Sequence, residues 1–442
     1  MIRRADILYL VLAIVVAPFF YLKRRLKKKP LAPLRPRLGG FPKNVATAPV
    51  LWLHGVSVGE IKAARGLVEI LERENPGLAV WLSVTTKAGM DVAKKDYPGR
   101  TVFYAPLDFS WVVAAAFESV RPDALILMET ELWPNLLAEA RRRRIPVIVA
   151  NAKMSERSAR GYRRLRFFAP RFLDGVRLFC LQHESFLPTL ASVGVGPERL
   201  VVTGVIKVDN LPSIVDPAPG RRLRNELGLA DDQILWVAGS THPGEETAVF
   251  EAFIGLRKDF PNLRLAIAPR HTNRADTVAK AAAGLGIDLV RRSQRQGLHD
   301  HEVLLVDTMG ELEGFFAAAD LVFLGGSLVP VGGHNILEPA AWKKPVIFGP
   351  HTWTVGFFAE EMLRLGAARR VESAAALKDV AAAWISDPKA RAAAGAAARA
   401  MVDRHRGATR RTVQAVYEVL AAAGRPFAQL ARRGEATKAT EK

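Results

Sequence analysis

At 442 residues, with 63 Lys and Arg against 44 Asp and Glu, the chain carries a formal charge of +19. That length exceeds one ordinary core and predicts two or three domains, and a hydrophobic content of 49% excludes a disordered chain. The single cysteine, Cys180, excludes an internal disulfide; its apolar setting, VRLFCL, predicts burial and agrees with a reducing compartment.

The charge is unevenly spread. Residues 1–44 hold eleven Lys or Arg and one acid, Asp6, and further basic clusters lie at 141–144 and 157–166. Such clusters imply anionic partners: nucleic acid, acidic lipid or phosphorylated substrates. No zinc-finger spacing, RNA-binding aromatic motif or basic-plus-heptad region accompanies them, so nucleic acid is not the expected partner. Residues 7–22 are apolar apart from tyrosines and Pro18, and 23–29 are strongly basic. The apolar run falls slightly short of the roughly 20 residues that span a bilayer. No small-residue cleavage site follows it, which argues against a secretory signal. Residues 1–29 are therefore expected to be a membrane anchor, spanning or interfacial, with its basic flank on the cytoplasmic side against acidic lipid.

From residue 45 onward, strand-like apolar runs alternate with helical stretches. Runs at 50–56, 80–84, 124–128, 147–150, 177–181 and 200–205 form one series. A turn-rich segment at 210–220, NLPSIVDPAPG, reads as a linker. A second series follows at 234–238, 263–268, 287–290, 303–306, 321–324 and 346–348. Two such series predict an α/β protein with two doubly wound, Rossmann-like domains facing a cleft, over 45–210 and 211–430. The Ala- and Arg-rich tail from 374 to 430 is expected to be mostly helical and part of the second domain, with frayed residues beyond it.

Ligands of open α/β sheets collect beyond the carboxyl ends of strands, so the polar residues after each run are the candidates. Glu60 opens a helix after the first run; it suits a general base, or simply complements the helix dipole, which would lower its pKa. Residues 55–59 also match the G-x-S-x-G elbow of α/β-hydrolases around Ser57, although no acid and histidine can be singled out to complete a triad. Glu129 ends the third run, with Glu131 read as a cap and Trp133 as packing. Lys207 follows the sixth run and suits a developing negative charge. In the second series, Gly239, Ser240 and Thr241 read as a phosphate-type turn, while Pro269, Arg270 and His271 follow one strand and Met309, Gly310 and Glu311 precede a helix. The most informative stretch is GGSLVPVGGHNILEPA at 325–340. Its glycine pairs let backbone approach a ligand, and Asn335 and Glu338 stand at a helix start, suited to the phosphate and ribose of a nucleotide.

Several chemistries are absent from the pattern. The chain has no G-x-G-x-x-G, no Walker A loop, no HExxH, no paired-Cys cluster and no Asp-x-Asp pair. His54, His242, His271, His334 and His351 are scattered in sequence, so a zinc site would need their convergence.

The segments HGVSVGE (54–60), METELWPN (128–135), NAKMSERS (151–158), TGVIKVD (203–209), GSTHPGEE (239–246), PRH (269–271), DTMGEL (307–312), GGSLVPVGGHNILEPA (325–340) and GPHTW (349–353) resemble, in order, the lipid IVA 3-deoxy-D-manno-octulosonic acid (Kdo) transferases. The resemblance spans about 50–355, and the apolar N-terminus matches as well. It departs at Lys153-Met154, where Arg-Leu is more usual, and over 35–43, which lacks a Tyr-Gly pattern. The resemblance implies a glycosyltransferase B fold and an inverting, metal-independent enzyme of the inner membrane, working on its cytoplasmic face without a cofactor. It implies transfer of Kdo from CMP-Kdo to the 6′-hydroxyl of lipid IVA, in lipopolysaccharide assembly. By the same resemblance Glu60 is the general base, and Glu129 and Lys207 stabilise the transition state. CMP contacts fall on Pro269, Arg270, Met309, Gly310, Glu311, Asn335, Ile336, Leu337 and Glu338. The alternative is another two-domain transferase or epimerase that uses UDP-sugars.

Overall fold

Long uninterrupted runs of Val, Ile and Leu can be buried on both faces only in a parallel sheet covered by helices. The computed structural model, which describes residue 6 and residues 33–45, 48–164, 173–294, 297–299 and 302–424, shows this arrangement twice. The first sheet contains β1 (Val50–Gly55), β2 (Ala79–Val84), β3 (Val102–Tyr104), β4 (Ala124–Met128), β5 (Val147–Ala152), β6 (Leu178–Leu181) and β7 (Leu200–Val202). Its order is β3-β2-β1-β4-β5-β6-β7, all parallel. The second contains β8 (Ile234–Thr241), β9 (Leu263–Pro269), β10 (Asp288–Arg291), β11 (Glu302–Leu305), β12 (Leu321–Leu324), β13 (Val346–Phe348) and β14 (Ala368–Arg370). Its order is β10-β11-β9-β8-β12-β13-β14, again parallel. The strand order reverses direction at β1/β4 in one sheet and at β8/β12 in the other, which are the switch points where ligands bind in such sheets.

The central strands are the ones their sequence announces: every residue of β1, β4 and β5 is buried. Two strands were not expected, β3 and β14. Each has three residues and lies at a sheet edge, and β14 exposes two of its three, Arg369 and Arg370. The half-covered edge strand β14, Ala-Arg-Arg, has no apolar run for patterning to reveal, while β3, Val-Phe-Tyr, is apolar but only three residues long. The second sheet also corrects one turn. Gly239, Ser240 and Thr241 belong to β8, with a register irregularity against β9 between Gly239 and Thr241, and do not form a phosphate-type loop.

The chain divides into two compact units, one reaching Asn210 and resuming at Gly407, the other running Leu211–Arg406. The helical tail, expected in the second domain throughout, is thus split. The helix Ala408–Ala422 joins the first unit, where Val413, Val416, Tyr417 and Leu420 share a core with Leu67 and Leu71. Asp209 caps its start, accepting from the amides of Gly407 (2.7 Å) and Thr409 (2.6 Å). Tyr417 Oη accepts a hydrogen bond from Asn75 Nδ2 at 2.8 Å. Within the second unit Arg399 donates to the carbonyls of Pro212 (3.0 Å) and Ala341 (2.9 Å), so the Pro-rich stretch after Leu211 is held down.

The expected anchor at 7–22 and its flank at 23–29 lie outside the described residues. Among the described residues no helix is long and apolar enough to cross a membrane. Asp6 is described and fully buried: its carboxylate accepts from Ser110 N (2.8 Å), Ser110 Oγ (2.7 Å) and Asn135 Nδ2 (2.9 Å). Cys180 is buried as expected, and that burial pushes its thiol up to about 12.

Candidate active site

In the first unit the side chains of interest hang from the carboxyl ends of β1, β4, β5 and β7. The turn after β1 is a capping box: Ser57 is the N-cap of the helix Val58–Ala63, its Oγ accepting from Glu60 N at 3.3 Å. Glu60 returns the contact, accepting from Ser57 Oγ at 2.6 Å and from Val56 N at 2.8 Å. Ser57 is thereby committed to a carboxylate, with no histidine on its hydroxyl, so the hydrolase elbow has no partner here. Glu60 is 6% exposed. Burial raises its pKa; hydrogen bonds from Ser57 and Val56 offset part of that, and the like charges of Glu129 and Glu131 add to it. The expected lowering by the helix dipole is therefore overruled by desolvation. Each carboxylate oxygen has two lone pairs, so Glu60 still has acceptor capacity for a proton.

Glu129 leaves β4 in the left-handed region, with φ 58°, and Asn151 does the same within β5, with φ 57°. Side chains seldom adopt this backbone, and such residues cluster where geometry serves function. The turn at Glu129 places its carboxylate between two lysines: Lys207 Nζ is 3.4 Å from Oε1 and Lys153 Nζ is 3.0 Å from Oε2. Lys207 also borders the start of the Glu60 helix, since a β-carbon on Gly59 would lie 3.9 Å from its Nζ. The structure thus brings Glu60, Glu129 and Lys207 together, and adds Lys153. Glu131, expected to cap the helix Pro134–Arg142, instead accepts from Trp133 Nε1 at 3.1 Å. Asp108 is the cap, accepting from the amides of Asn135 (3.0 Å) and Leu136 (2.8 Å).

His54, on β1, is buried beneath this group. Its Nδ1 is 2.9 Å from Ser83 Oγ, which also accepts from Trp52 Nε1 at 2.7 Å. Burial brings His54 down to about 4, so it is neutral and structural near neutral pH.

The second unit builds its strand ends differently. The key side chain is Glu245, fully buried in the first turn of the helix Glu245–Arg257. Its carboxylate accepts from four backbone amides: His242 (2.9 Å), Gly326 (2.7 Å), Ser327 (2.9 Å) and Leu328 (2.9 Å). One side chain therefore shapes the glycine loop after β12. A β-carbon on Gly325 would lie 2.5 Å from Ser240 O and 2.6 Å from Thr241 Cα, so only glycine fits. Beyond the loop, Asn335 Oδ1 accepts from Leu337 N at 3.3 Å, and Asn335 Nδ2 donates to Glu338 Oε1 at 3.0 Å. Ile336 and Leu337 are buried, so only their backbone is available to a ligand.

Pro269 closes β9, and the exposed Arg270 that follows has its amide on Thr241 O at 3.0 Å. After β11, Met309 is exposed, Gly310 has φ 89° and Glu311 is the N-cap of Leu312–Ala318. Burial pushes Glu311 up, but hydrogen bonds from Arg292 (3.0 Å) and Thr308 prevail and hold it below the usual carboxylate range.

Three of the five scattered histidines do converge. His242 Nε2 and His334 Nε2 are 2.8 Å apart, and the His271 ring lies edge-on to His242 at 6.3 Å. Burial, with Arg270 nearby, brings His334 down to about 4. Two imidazole nitrogens at this distance share one proton as donor and acceptor. Among the described residues no group of three His, Cys, Asp or Glu is placed to hold a metal ion.

Sequence reading missed Lys153, Glu245 and the histidine pair. Glu245 carried one signal, an acid in a first helical turn after a strand, but such acids are common.

Comparison with known proteins bears on the family and the fold. A family model described as 3-deoxy-D-manno-octulosonic-acid transferase (kdotransferase) matches residues 32–210. The 3-deoxy-D-manno-octulosonic acid transferase of Haemophilus influenzae (strain ATCC 51907 / DSM 11121 / KW20 / Rd) is 33% identical over 379 residues, covering 84% of this chain and 88% of that protein. That of Bordetella pertussis is 33% identical over 401 residues, covering 88% and 92%. Among solved structures, a UDP-N-acetylglucosamine 2-epimerase has TM-score 0.60 at 14% identity, covering 87% of this chain and 97% of that one. A glycosyltransferase from Rickettsia africae ESF-5 has TM-score 0.60 at 13% identity, covering 85% and 99%. At such identities the structural likeness speaks for the fold alone: two parallel-sheet α/β domains of the glycosyltransferase B type. Because one third of the residues are shared across about nine-tenths of two curated relatives, the chain belongs to the 3-deoxy-D-manno-octulosonic acid transferase family of glycosyltransferases.

Proposed function

We propose that the protein transfers Kdo from CMP-Kdo to lipid IVA by inverting displacement, without a metal or cofactor, at the cytoplasmic face of the inner membrane. The observation that carries this reading is the buried Glu60, its proton affinity raised, grouped with Glu129 and Lys207 at the switch point of the first sheet. The acceptor's 6′-oxygen attacks the anomeric carbon, its proton passes to Glu60, and the bond from that carbon to the phosphate oxygen breaks, releasing CMP. A base poised above the ordinary carboxylate value accepts that proton more readily near neutral pH. Glu129 and Lys207 balance the charge that develops on the sugar. In the second unit Arg270 takes charge on the leaving phosphate, Asn335 and Glu338 hold the nucleotide, and Pro269, Met309, Gly310, Glu311 and the backbone of Ile336 and Leu337 line its place. Placement at the membrane rests on the basic, apolar N-terminus and on lipid IVA being an amphiphile.

The test is a donor and acceptor panel with purified full-length protein, read by mass spectrometry of the lipid product. Kdo-lipid from CMP-Kdo and lipid IVA, undiminished by EDTA, is expected. Turnover of UDP-N-acetylglucosamine with none of CMP-Kdo would replace this reading with the UDP-sugar one.

A further inference from the structure

No role follows for Lys153 from the polar groups after the strand-like runs. The fold gives it an unusual setting. Its ammonium lies 3.0 Å from Glu129 Oε2, while Lys207 lies 3.4 Å from Oε1 of the same carboxylate. One carboxylate needs one cation. An ammonium has three N–H donors; Lys207 spends one on Glu129 and Lys153 meets the same carboxylate as an ion pair, so donors remain on both sides of it. Both lysines are accessible, with side chains 44% and 40% exposed, whereas Glu129 is 16% exposed. A ligand can therefore reach the ammonium groups while their common counter-ion stays withdrawn.

The loop that carries Lys153 is also fixed in place. The Lys153 carbonyl accepts from Thr130 Oγ1, next to Glu129. Asn151 holds its left-handed backbone at 1% exposure, its carbonyl accepting from Gln182 Nε2 at 2.9 Å. Its Oδ1 accepts from Ile206 N at 3.2 Å, at the first residue of the helix that carries Lys207. The segments after β4, β5 and β7 are thus tied to one another. A merely solvated lysine is held by none of these contacts; this one is positioned at both its backbone and its ammonium.

The geometry points to Lys153 as a substrate-binding residue that, with Lys207, holds a compact oxyanion of the substrates beside Glu129. Apart from the CMP phosphate, two such groups exist in the proposed reaction, on which this inference rests: the carboxylate next to the anomeric carbon of the sugar acid, and a phosphate of the acceptor. Both present oxygens that match a pair of ammonium donors. Neither is present in CMP alone as a sugar carboxylate or a lipid phosphate, and that difference makes the role testable.

Steady-state kinetics of full-length Lys153→Met and Lys153→Arg would be compared with wild type, varying CMP-Kdo and lipid IVA in turn, with CMP as a competitive inhibitor. Turnover by wild type establishes the underlying reaction, and its absence would count against that reading before any variant is compared. In Lys153→Met a KM rise of about tenfold or more is expected for one substrate, roughly the loss of one charge-assisted hydrogen bond. A rise for CMP-Kdo identifies the sugar carboxylate, and a rise for lipid IVA identifies the acceptor phosphate. The inhibition constant of CMP should stay within about twofold, and Lys153→Arg should recover most of the loss. Both KM values unchanged, or the CMP constant rising in parallel, would overturn the inference. Should Lys153→Met fold poorly, acetylation of wild-type Lys153 read by mass spectrometry serves instead. Protection by CMP-Kdo or lipid IVA but not by CMP supports the role, and equal labelling under all conditions refutes it.

Discussion

The two units share a fold and differ in how their strand ends are built. In the first, charged side chains gather: Glu60, Glu129, Lys153 and Lys207 come from four separate strand ends, with Glu129 paired to both lysines and its charge felt by Glu60. In the second, a single buried carboxylate, Glu245, gathers four backbone amides and shapes a glycine loop. The first arrangement suits proton transfer, since its charges tune one another. The second suits a nucleotide, since a loop tightly bonded within the fold offers backbone and a few polar groups with little freedom to lose on binding. The same topology thus supports two kinds of strand-end arrangement, and the difference lies in which side chains each sheet carries there.

Substitutions can break this contrast. The largest effect is expected at Glu60. Glu60→Ala should lower kcat by roughly 10² to 10⁴, with CMP affinity unchanged by direct titration. A wild-type rate would remove the base from the proposal. Next comes Glu245→Ala, which strips the acceptor from four amides in the second unit. A loss of about 3 kcal/mol in stability is expected from denaturant melts, together with loss of CMP binding. Unchanged stability would mean that the loop holds itself. Glu338→Ala should be milder, weakening CMP by about tenfold, the value of one hydrogen bond to a charged group, and leaving the KM for lipid IVA alone. The reverse pattern would undo the division between a nucleotide-holding unit and a chemical one.

The smallest effect concerns pH. Glu60 must be ionised to act as a base, so kcat/KM should fall as pH drops through its raised pKa, above the ordinary carboxylate range. Glu129 is one of the like charges that raise it, so Glu129→Gln should move this acid limb to lower pH, whatever it does to the maximal rate. A limb that stays in place, or moves up, would show that burial alone sets the base. For folding, the sign is opposite to that of an ordinary paired carboxylate. A raised pKa means that the folded chain holds this proton more tightly than the unfolded one, so Glu60 costs stability as pH rises through its folded value.

Much of this was legible in the chain. The central strands are unbroken apolar runs, and the polar groups after them include the residues the fold brings together in each unit. The helix face of Ile61, Ala64, Leu67, Val68 and Leu71 is buried throughout, as its spacing demands. What patterning could not show was structure supported from outside its own segment. The edge strand β14 has no apolar signature, two of its three residues being exposed arginines, and β3, Val-Phe-Tyr, is too short to stand out as a run. The helix Ala408–Ala422 reads as part of a continuous helical tail; it belongs to the first unit because Asp209 caps it and Leu67 and Leu71 receive its apolar face.

The sequence by itself determined the repeated α/β pattern and the order of the motifs, and it marked Glu60, Glu129, Lys207, Asn335 and Glu338 as candidates, because periodicity and motif spacing are local properties of the chain. Only the tertiary structure decided that Glu60 is raised rather than lowered in pKa, that Lys153 shares Glu129 with Lys207, and that Glu245 anchors a loop some eighty residues away. Each of these depends on which groups become neighbours after folding and on how much water is removed from around them, and neither quantity is written in any one segment.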